Sequence, residues 1–243
     1  MDVGDRAALV TGASRGLGEQ IARKLAARGA RVALVARHED ELARVVDAIR
    51  SAGGVAHGIV ADVGEKRAPH AIAAAAAALV GDVDLLVHNA STLGHVPLRP
   101  LLETDCEALE EALEINVVGP LRLTKLLAGP MVLRGRGLVV HVTSDASVAA
   151  YPGWGAYGAS KAALDHMGRI LGAELEGTGV RVVSVDPGEM RTRMHADAIP
   201  DADPATLLDP AVVADRILRL VGNVEELATG ARVEASAYAA GSS

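Results

Sequence analysis

Tyr157 and Lys161 stand four residues apart in Tyr157-Gly158-Ala159-Ser160-Lys161, within a segment whose pattern predicts a helix. At that spacing the two side chains project from one helix face. An ammonium beside a phenol favours phenolate, so Lys161 is expected to draw the Tyr157 pKa down toward neutrality. A phenol tuned in this way gives or takes a proton at a carbonyl or alcohol oxygen. A second group of residues suits a different task. Gly12, Ser14, Arg15, Gly16, Leu17 and Gly18 form a G-x-x-x-G-x-G turn between an apolar run and a helical segment. Glycines there let the chain turn sharply and let a pyrophosphate approach backbone N–H groups at a helix N-terminus.

About twenty residues beyond such a turn, an acid holds a ribose 2′-hydroxyl and an Arg accommodates a 2′-phosphate. Here Ala36-Arg37-His38 closes the second apolar run. Arg37 is expected to converge with Arg15, which favours NADP(H) over NAD(H). Glu39 competes for the role but reads as a first-turn helix acid. Two later strand ends supply Asp62-Val63 and Asn89-Ala90. Asp62 is placed to meet an adenine amine, and Asn89 to tie neighbouring strands together; ordinary turn chemistry is the competing reading of both.

Elements must bring these residues to one place. Strands are predicted over 7–11, 31–36, 55–61, 83–88, 138–143, 180–185 and 231–235. Helices are predicted over 16–28, 39–52, 65–80, 105–128, 154–176 and 210–221. Thr104 and Glu107 have capping-box spacing, and Asp209-Pro210 reads as an N-cap followed by Pro at N1. The Ala-rich run 71–80 is too short to span a bilayer and reads as a buried helix. Strict alternation of near-continuous apolar strands with helices predicts one α/β domain over 1–243, a parallel sheet with helices on both faces. Ligands of such sheets bind beyond the carboxyl ends of the strands. The gaps 90–104 and 188–208 both follow strands and are the expected substrate loops, with a mobile lid over 199–204.

Composition narrows the functional classes. Half the residues are hydrophobic and 23% are charged, so a packed core is expected; with 2% aromatics and no Phe it must be built from Ala, Val, Leu and Ile. The net charge of −7 argues against nucleic acid or an anionic membrane as partner. The N-terminal residues lack the apolar core of a signal peptide. Cys106, the one cysteine, has no partner for a disulfide or a metal site, in keeping with a reducing, cytoplasmic compartment.

Taken together, the chain resembles the short-chain dehydrogenase/reductase family over nearly its whole length. Residues 11–18, Asn89-Ala90, Asn116, Ser144, Tyr157 with Lys161, and Pro187-Gly188 stand in the family's order and at its spacing. The resemblance implies a single-domain Rossmann fold with a seven-stranded parallel sheet and a Ser-Tyr-Lys-Asn tetrad. Tyr157 would be general acid in carbonyl reduction and general base in alcohol oxidation. Lys161 would tune it and hydrogen-bond the nicotinamide ribose. Ser144 would hydrogen-bond the substrate oxygen, and Asn116 would hold a water that relays protons to Lys161. Asn116 is otherwise unexplained mid-helix, where Asn is a poor residue. With Pro187 and Gly188, Thr192 would contact the nicotinamide amide or phosphates, while the cofactor supplies the hydride. Two departures stand out. His88-Asn89-Ala90-Ser91 replaces Asn-Asn-Ala-Gly, which puts the backbone at Ser91 in question; His88 reads as a structural hydrogen-bonder. The stretch 229–234 lacks the usual Asp-Gly-Gly, which bears on subunit contacts.

His95, Val96, Asp145, Ala146, Tyr151, Trp154, Glu189, Met190 and Met194 are expected to line a partly hydrophobic substrate pocket. His95 and His195 lack ligand-spaced partners, so no metal is expected. The expected activity is NADPH-dependent reduction of a ketone or aldehyde, 3-oxoacyl-type substrates included. An alcohol dehydrogenase running oxidatively and a non-catalytic NADP(H)-binding sensor are the alternatives, the sensor having no need of Tyr157 or Lys161. A sugar-nucleotide epimerase is disfavoured by the chain's length. The resemblance also implies a homodimer or homotetramer packed through the helices bearing Asn116 and Tyr157.

Overall fold

The computed structural model describes residues 1–239; the last four positions of the expected 1–243 domain lie outside them. Seven parallel strands form one sheet: β1 Ala7–Thr11, β2 Arg31–Ala36, β3 Val55–Val60, β4 Val83–His88, β5 Gly137–Val142, β6 Val180–Asp186 and β7 Ala231–Glu234. Their order is β3-β2-β1-β4-β5-β6-β7. The strands pair in parallel because a helix returns the chain between them. The helices are α1 Gly16–Ala27, α2 Glu39–Ser51, α3 Ala68–Val80, α4 Cys106–Leu113, α5 Gly119–Leu133, α6 Gly155–Glu174, α7 Arg193–Ala198 and α8 Pro210–Gly222. This is a Rossmann-like architecture, and β1, β4 and β5 are buried almost end to end, as strands covered on both faces must be.

Two cores flank the sheet. On one face Leu17, Ile21 and Leu25 of α1, Leu42 and Val46 of α2, and Val213, Ile217 and Val221 of α8 pack on alternate strand residues such as Val10 and Leu34. On the other, Ile72 and Ala76 of α3 and Leu123 and Met131 of α5 pack on Leu9, Leu86 and Val139. Aliphatic side chains do the packing, as the near absence of aromatics requires. The sheet order reverses between β1 and β4, and a crevice opens there above the strand ends.

Some local expectations fail for identifiable reasons. Thr104 does not cap α4; its Oγ1 donates to the carbonyls of Arg99 and Pro100, and Asp105 takes the N-cap position with no side-chain bond. The Ala-rich α3 is not buried all round: Ile72, Ala76 and Val80 face the core and the opposite face is exposed, because a helix beside one sheet face needs only one apolar stripe. The single helix expected over 105–128 is α4 and α5 joined through a π-turn at Glu114–Val118, and it runs on through Pro130 to Leu133. Asp209 does cap α8, accepting from the Ala211 N–H ahead of Pro210.

Candidate active site

The crevice is a cleft of about 660 Å³ that runs from the glycine turn to the start of α6. At one end β1 turns into α1. No side chain caps the first turn of α1, so its N–H groups are left for an anion. Gly12 and Gly16 have φ values of +65° and +57°, which a Cβ would strain. A Cβ on Gly18 would run into the Gly12 carbonyl and the Asn89 amide; Gly18 thus lies beneath the turn and does not line the cleft. Asn89 ties the turn to β4, its Nδ2 donating to the carbonyls of Thr11 and Gly12 at 3.0 Å each. Thr11 completes the tie by accepting the N–H groups of Asn89 and Ala90 at 3.1 Å. Across the cleft, Gly188 has φ +72° with open space where a Cβ would stand, and the Thr192 methyl lies 3.4 Å from the Cβ position of Gly16. Bare backbone on both walls and an uncapped helix end fit the diphosphate of a dinucleotide.

Arg15 and Arg37 both line the cleft, beside Ser14, Asp62 and Val63. Their charges are already partnered: Arg15 lies 3.7 Å from Glu41 and Arg37 lies 3.6 Å from Asp62. Asp62 also accepts the Gly64 N–H at 2.9 Å, so its carboxylate organises the turn after β3 as well as facing the cleft. Glu41, which also accepts from the Ser14 hydroxyl at 3.2 Å, was not visible as a site residue because its spacing marks it as a first-turn acid of α2.

At the other end, α6 carries Tyr157 and Lys161, and the turn after β5 carries Ser144. The expected pKa relation is not what the structure shows. Lys161 Nζ lies 5.5 Å from the Tyr157 ring centroid and donates to the Val142 carbonyl at 2.8 Å. Burial pushes the Tyr157 phenol up to about 12, with Asp145 and Asp186 adding to the rise. The nearby hydroxyls of Ser144 and Ser91 oppose the shift. Burial likewise lowers Lys161 to about 8, against the pull of Asp165. The i, i+4 rule places both groups on one face, but both are dry there, and desolvation is the largest influence on each.

Asn116 sits in the π-turn with its side chain saturated. Its Oδ1 accepts from Ser91 Oγ at 3.0 Å and Thr92 N at 2.9 Å, and its Nδ2 donates to Thr92 O and Ser160 Oγ, both at 2.9 Å. The side chain therefore pins the 91–92 segment to α6 and leaves no donor or acceptor for the expected water. Asn116 lies behind the cleft wall, not in it. Ser91, the residue in place of Gly, fits this geometry without positive φ and contributes a hydroxyl to it. His88 is buried and bonds Thr124 Oγ1 at 2.8 Å, its pKa lowered by burial and by His141.

Asp145, Ala146, Tyr151, Trp154, Glu189, Met190 and Met194 line the substrate end with Val96. His95 does not; it is exposed outside the cleft, because the chain turns at Gly94 and directs its neighbours Leu93 and Val96 inward instead. Trp154 packs edge-on against Tyr157 at 5.7 Å and Tyr151 at 6.5 Å. Asp145 accepts from Ser144 Oγ at 2.9 Å, from its neighbour Ala146 N at 2.8 Å and from Tyr151 Oη at 2.8 Å. The expected substrate loop 188–208 holds α7, capped by Thr192, ahead of the expected lid at 199–204, and is anchored by a bridge between Met190 and Leu208. Among the described residues no group of three or more His, Cys, Asp or Glu is placed to hold a metal, and no helix is long and apolar enough to cross a membrane.

Arg232, on β7, is the supporting residue the sequence concealed. It donates to Asp165 on α6 at 3.1 Å, to Asp186 at the end of β6 at 2.8 Å and to the Ser144 carbonyl at 3.0 Å. Its partners stand 46 to 88 positions away, and no local pattern links them.

The family model described as short chain dehydrogenase matches residues 6–203. The chain belongs to this family. A short chain dehydrogenase from Pseudocercospora fijiensis is 36% identical over 208 residues, covering 84% of this chain and 66% of its own length. The chain spans only 18% of the glycine betaine reductase ATRR of Emericella nidulans, which is 32% identical over 231 residues, 92% of this chain. Among solved structures, a Shigella flexneri short chain dehydrogenase complexed with NADP superposes with a TM-score of 0.89 at 31% identity, covering 97% of this chain and 99% of that one. The family is one of dehydrogenases, which are oxidoreductases.

Proposed function

We propose that the protein reduces a ketone or aldehyde with NADPH, and that Tyr157 is the proton donor. The observation that carries this reading is the meeting of Tyr157, Ser144 and Lys161 at one end of a cleft whose other end is a glycine-lined, uncapped helix terminus. When bound, the nicotinamide cofactor supplies the hydride. Gly12, Gly16 and the α1 N-terminus hold its diphosphate, and Arg15 and Arg37 receive a 2′-phosphate by giving up part of their pairing with Glu41 and Asp62. The NADP complex of the Shigella relative supports the choice of NADP(H).

A phenol held near 12 is a reluctant base and a ready hydrogen-bond donor. It keeps its proton until a stronger base appears beside it, and an alkoxide forming at the substrate oxygen is such a base. Ser144 steadies that oxygen as negative charge grows. Lys161, drawn from Val142 toward a ribose hydroxyl, supplies positive charge behind the phenol. The substrate lies between Ala146, Trp154 and Met194, with the 188–208 loop over it. The single chain would assemble into a homodimer or homotetramer through α4, α5 and α6.

Tyr157→Phe tests the mechanism. It should bind NADPH as tightly as the parent while carbonyl turnover falls by about 10²-fold or more. Comparable turnover in the two proteins would remove Tyr157 from the chemistry, and with it the reason to prefer an enzyme over a dinucleotide-binding sensor.

A further inference from the structure

The sequence contains three Tyr, one Trp and no Phe. Three of these four aromatic side chains, Tyr151, Trp154 and Tyr157, meet edge-on at the substrate end of one cleft. Such concentration is not needed for packing, since the rest of the core is built from aliphatic residues. Tyr151 is 45% exposed, so its ring faces open space.

A carboxylate completes this corner. Asp145 is exposed and accepts bonds from three neutral groups, but forms no ion pair within 4 Å among the described residues. The arginines of the facing loop are engaged elsewhere, Arg191 with Asp209 and Arg193 with Asp197. Of the other acids that line this end, Asp186 is paired with Arg232, Asp197 with Arg193, and Glu189 lies 3.8 Å from His195. Asp145 therefore places an uncompensated negative charge one residue from Ser144, where the reaction itself develops negative charge. It also accepts the Ser144 hydroxyl hydrogen bond, at 2.9 Å between the oxygens, a bond that the substrate oxygen needs. For a neutral substrate both effects oppose reduction. A positive charge brought by the substrate reverses both: it compensates the carboxylate and frees the Ser144 hydroxyl to turn to the oxyanion. Faces of Tyr and Trp beside a carboxylate are the side chains that receive an ammonium.

We propose that the substrate is a cationic carbonyl compound, an amino or quaternary ammonium ketone or aldehyde, whose charged nitrogen is received by Tyr151 and Trp154 against Asp145. The inference rests on the carbonyl-reductase reading above. The ammonium is unchanged by the reaction: the carbonyl carbon gains a hydride from the nicotinamide cofactor, the oxygen gains a proton through Tyr157, and the alcohol keeps its positive charge. A 3-oxoacyl group on an acidic carrier is the class this corner disfavours.

Trp154 is the only tryptophan, so its fluorescence reports binding at the corner without any turnover. The NADP⁺-bound protein is titrated with trimethyl(2-oxopropyl)ammonium and with 4,4-dimethylpentan-2-one, which has the same shape with carbon in place of the charged nitrogen. The cationic ketone should bind at least about tenfold tighter, a difference of about 1.4 kcal/mol. Asp145→Asn should bring the ratio of the two affinities close to one. Tyr151→Leu, which removes one aromatic wall and leaves Asp145 in place, should lower the ratio as well and serves if the first variant does not fold. Equal or tighter binding of the neutral ketone, or a ratio untouched by both variants, overturns the proposal. Selective binding of the cation with no reduction of any carbonyl would instead overturn the reductase reading and leave the cation corner standing.

Discussion

Replacing Arg232 with Met should destabilise the protein in a way that depends on pH. Arg232 joins β7 to two carboxylates that are nearly dry, Asp165 and Asp186, 1% and 8% exposed at their side chains. Asp165 Oδ1 has no hydrogen-bond partner among the described residues, so Asp165 relies on its other oxygen, which Arg232 and Ser147 share. Removing one partner of a buried pair and leaving the other charge uncompensated costs about 3–5 kcal/mol. For a chain of this length each kcal/mol lowers Tm by about 2–4 °C, so the expected fall is roughly 6–20 °C at pH 8. The sign of the pH dependence follows from Asp186. Burial already raises its pKa, and Arg232 is among the groups that hold it down. Without Arg232 the folded-state value rises further. A carboxyl whose folded pKa exceeds its unfolded one loses stability as pH rises through that window, so the deficit should be largest at pH 8 and shrink toward pH 5. Thermal melts of parent and variant across that range measure it. A fall in Tm under about 2 °C, or a deficit independent of pH, would refute the claim that Arg232 compensates these acids.

The remaining predictions concern the two ends of the cleft. Arg37→Asp should reverse the preference for NADPH over NADH, read as the ratio of kcat/KM for the two cofactors, because an acid there binds a 2′-hydroxyl and repels a phosphate; an unchanged ratio would remove Arg37 from cofactor choice. Ser91→Gly removes one of the two hydroxyls that hold the Tyr157 pKa down. The rising limb of alcohol oxidation against pH, which needs phenolate, should move to higher pH while NADP⁺ affinity is unchanged; a limb in the same place would make Ser91 purely structural.

The sheet was legible because its signals are local. Apolar runs between helical segments fix seven strands, and the glycine turn marks where the first strand meets a helix. The failures are failures of range or of medium. Lys161 four residues after Tyr157 is a local fact, but the burial that sets both pKa values depends on the packing of α6 against the sheet. Arg15 and Arg37 were visible as cations; their partners Glu41 and Asp62 look like ordinary turn and helix-start acids until the fold brings them alongside. His95 is expected near the tetrad, yet a single turn at Gly94 leaves it exposed outside the cleft. Asn116 drew attention as a poor helix residue, and the reason is that the backbone there is not α-helical.

That π-turn has a consequence for how the chain can change length. A π-turn accommodates one residue more than an α-turn, and each residue advances a helix by about 100°. α4 and α5 therefore form one rod keyed out of phase with itself, α4 aligned to α6 and α5 to α3 and β4. Deleting one residue between 114 and 118 would heal the helix and ruin the fit, swinging one half away from its neighbours and Asn116 away from Thr92. Homologues of altered length should thus differ in the loops on either side of this rod, and keep its count of residues fixed.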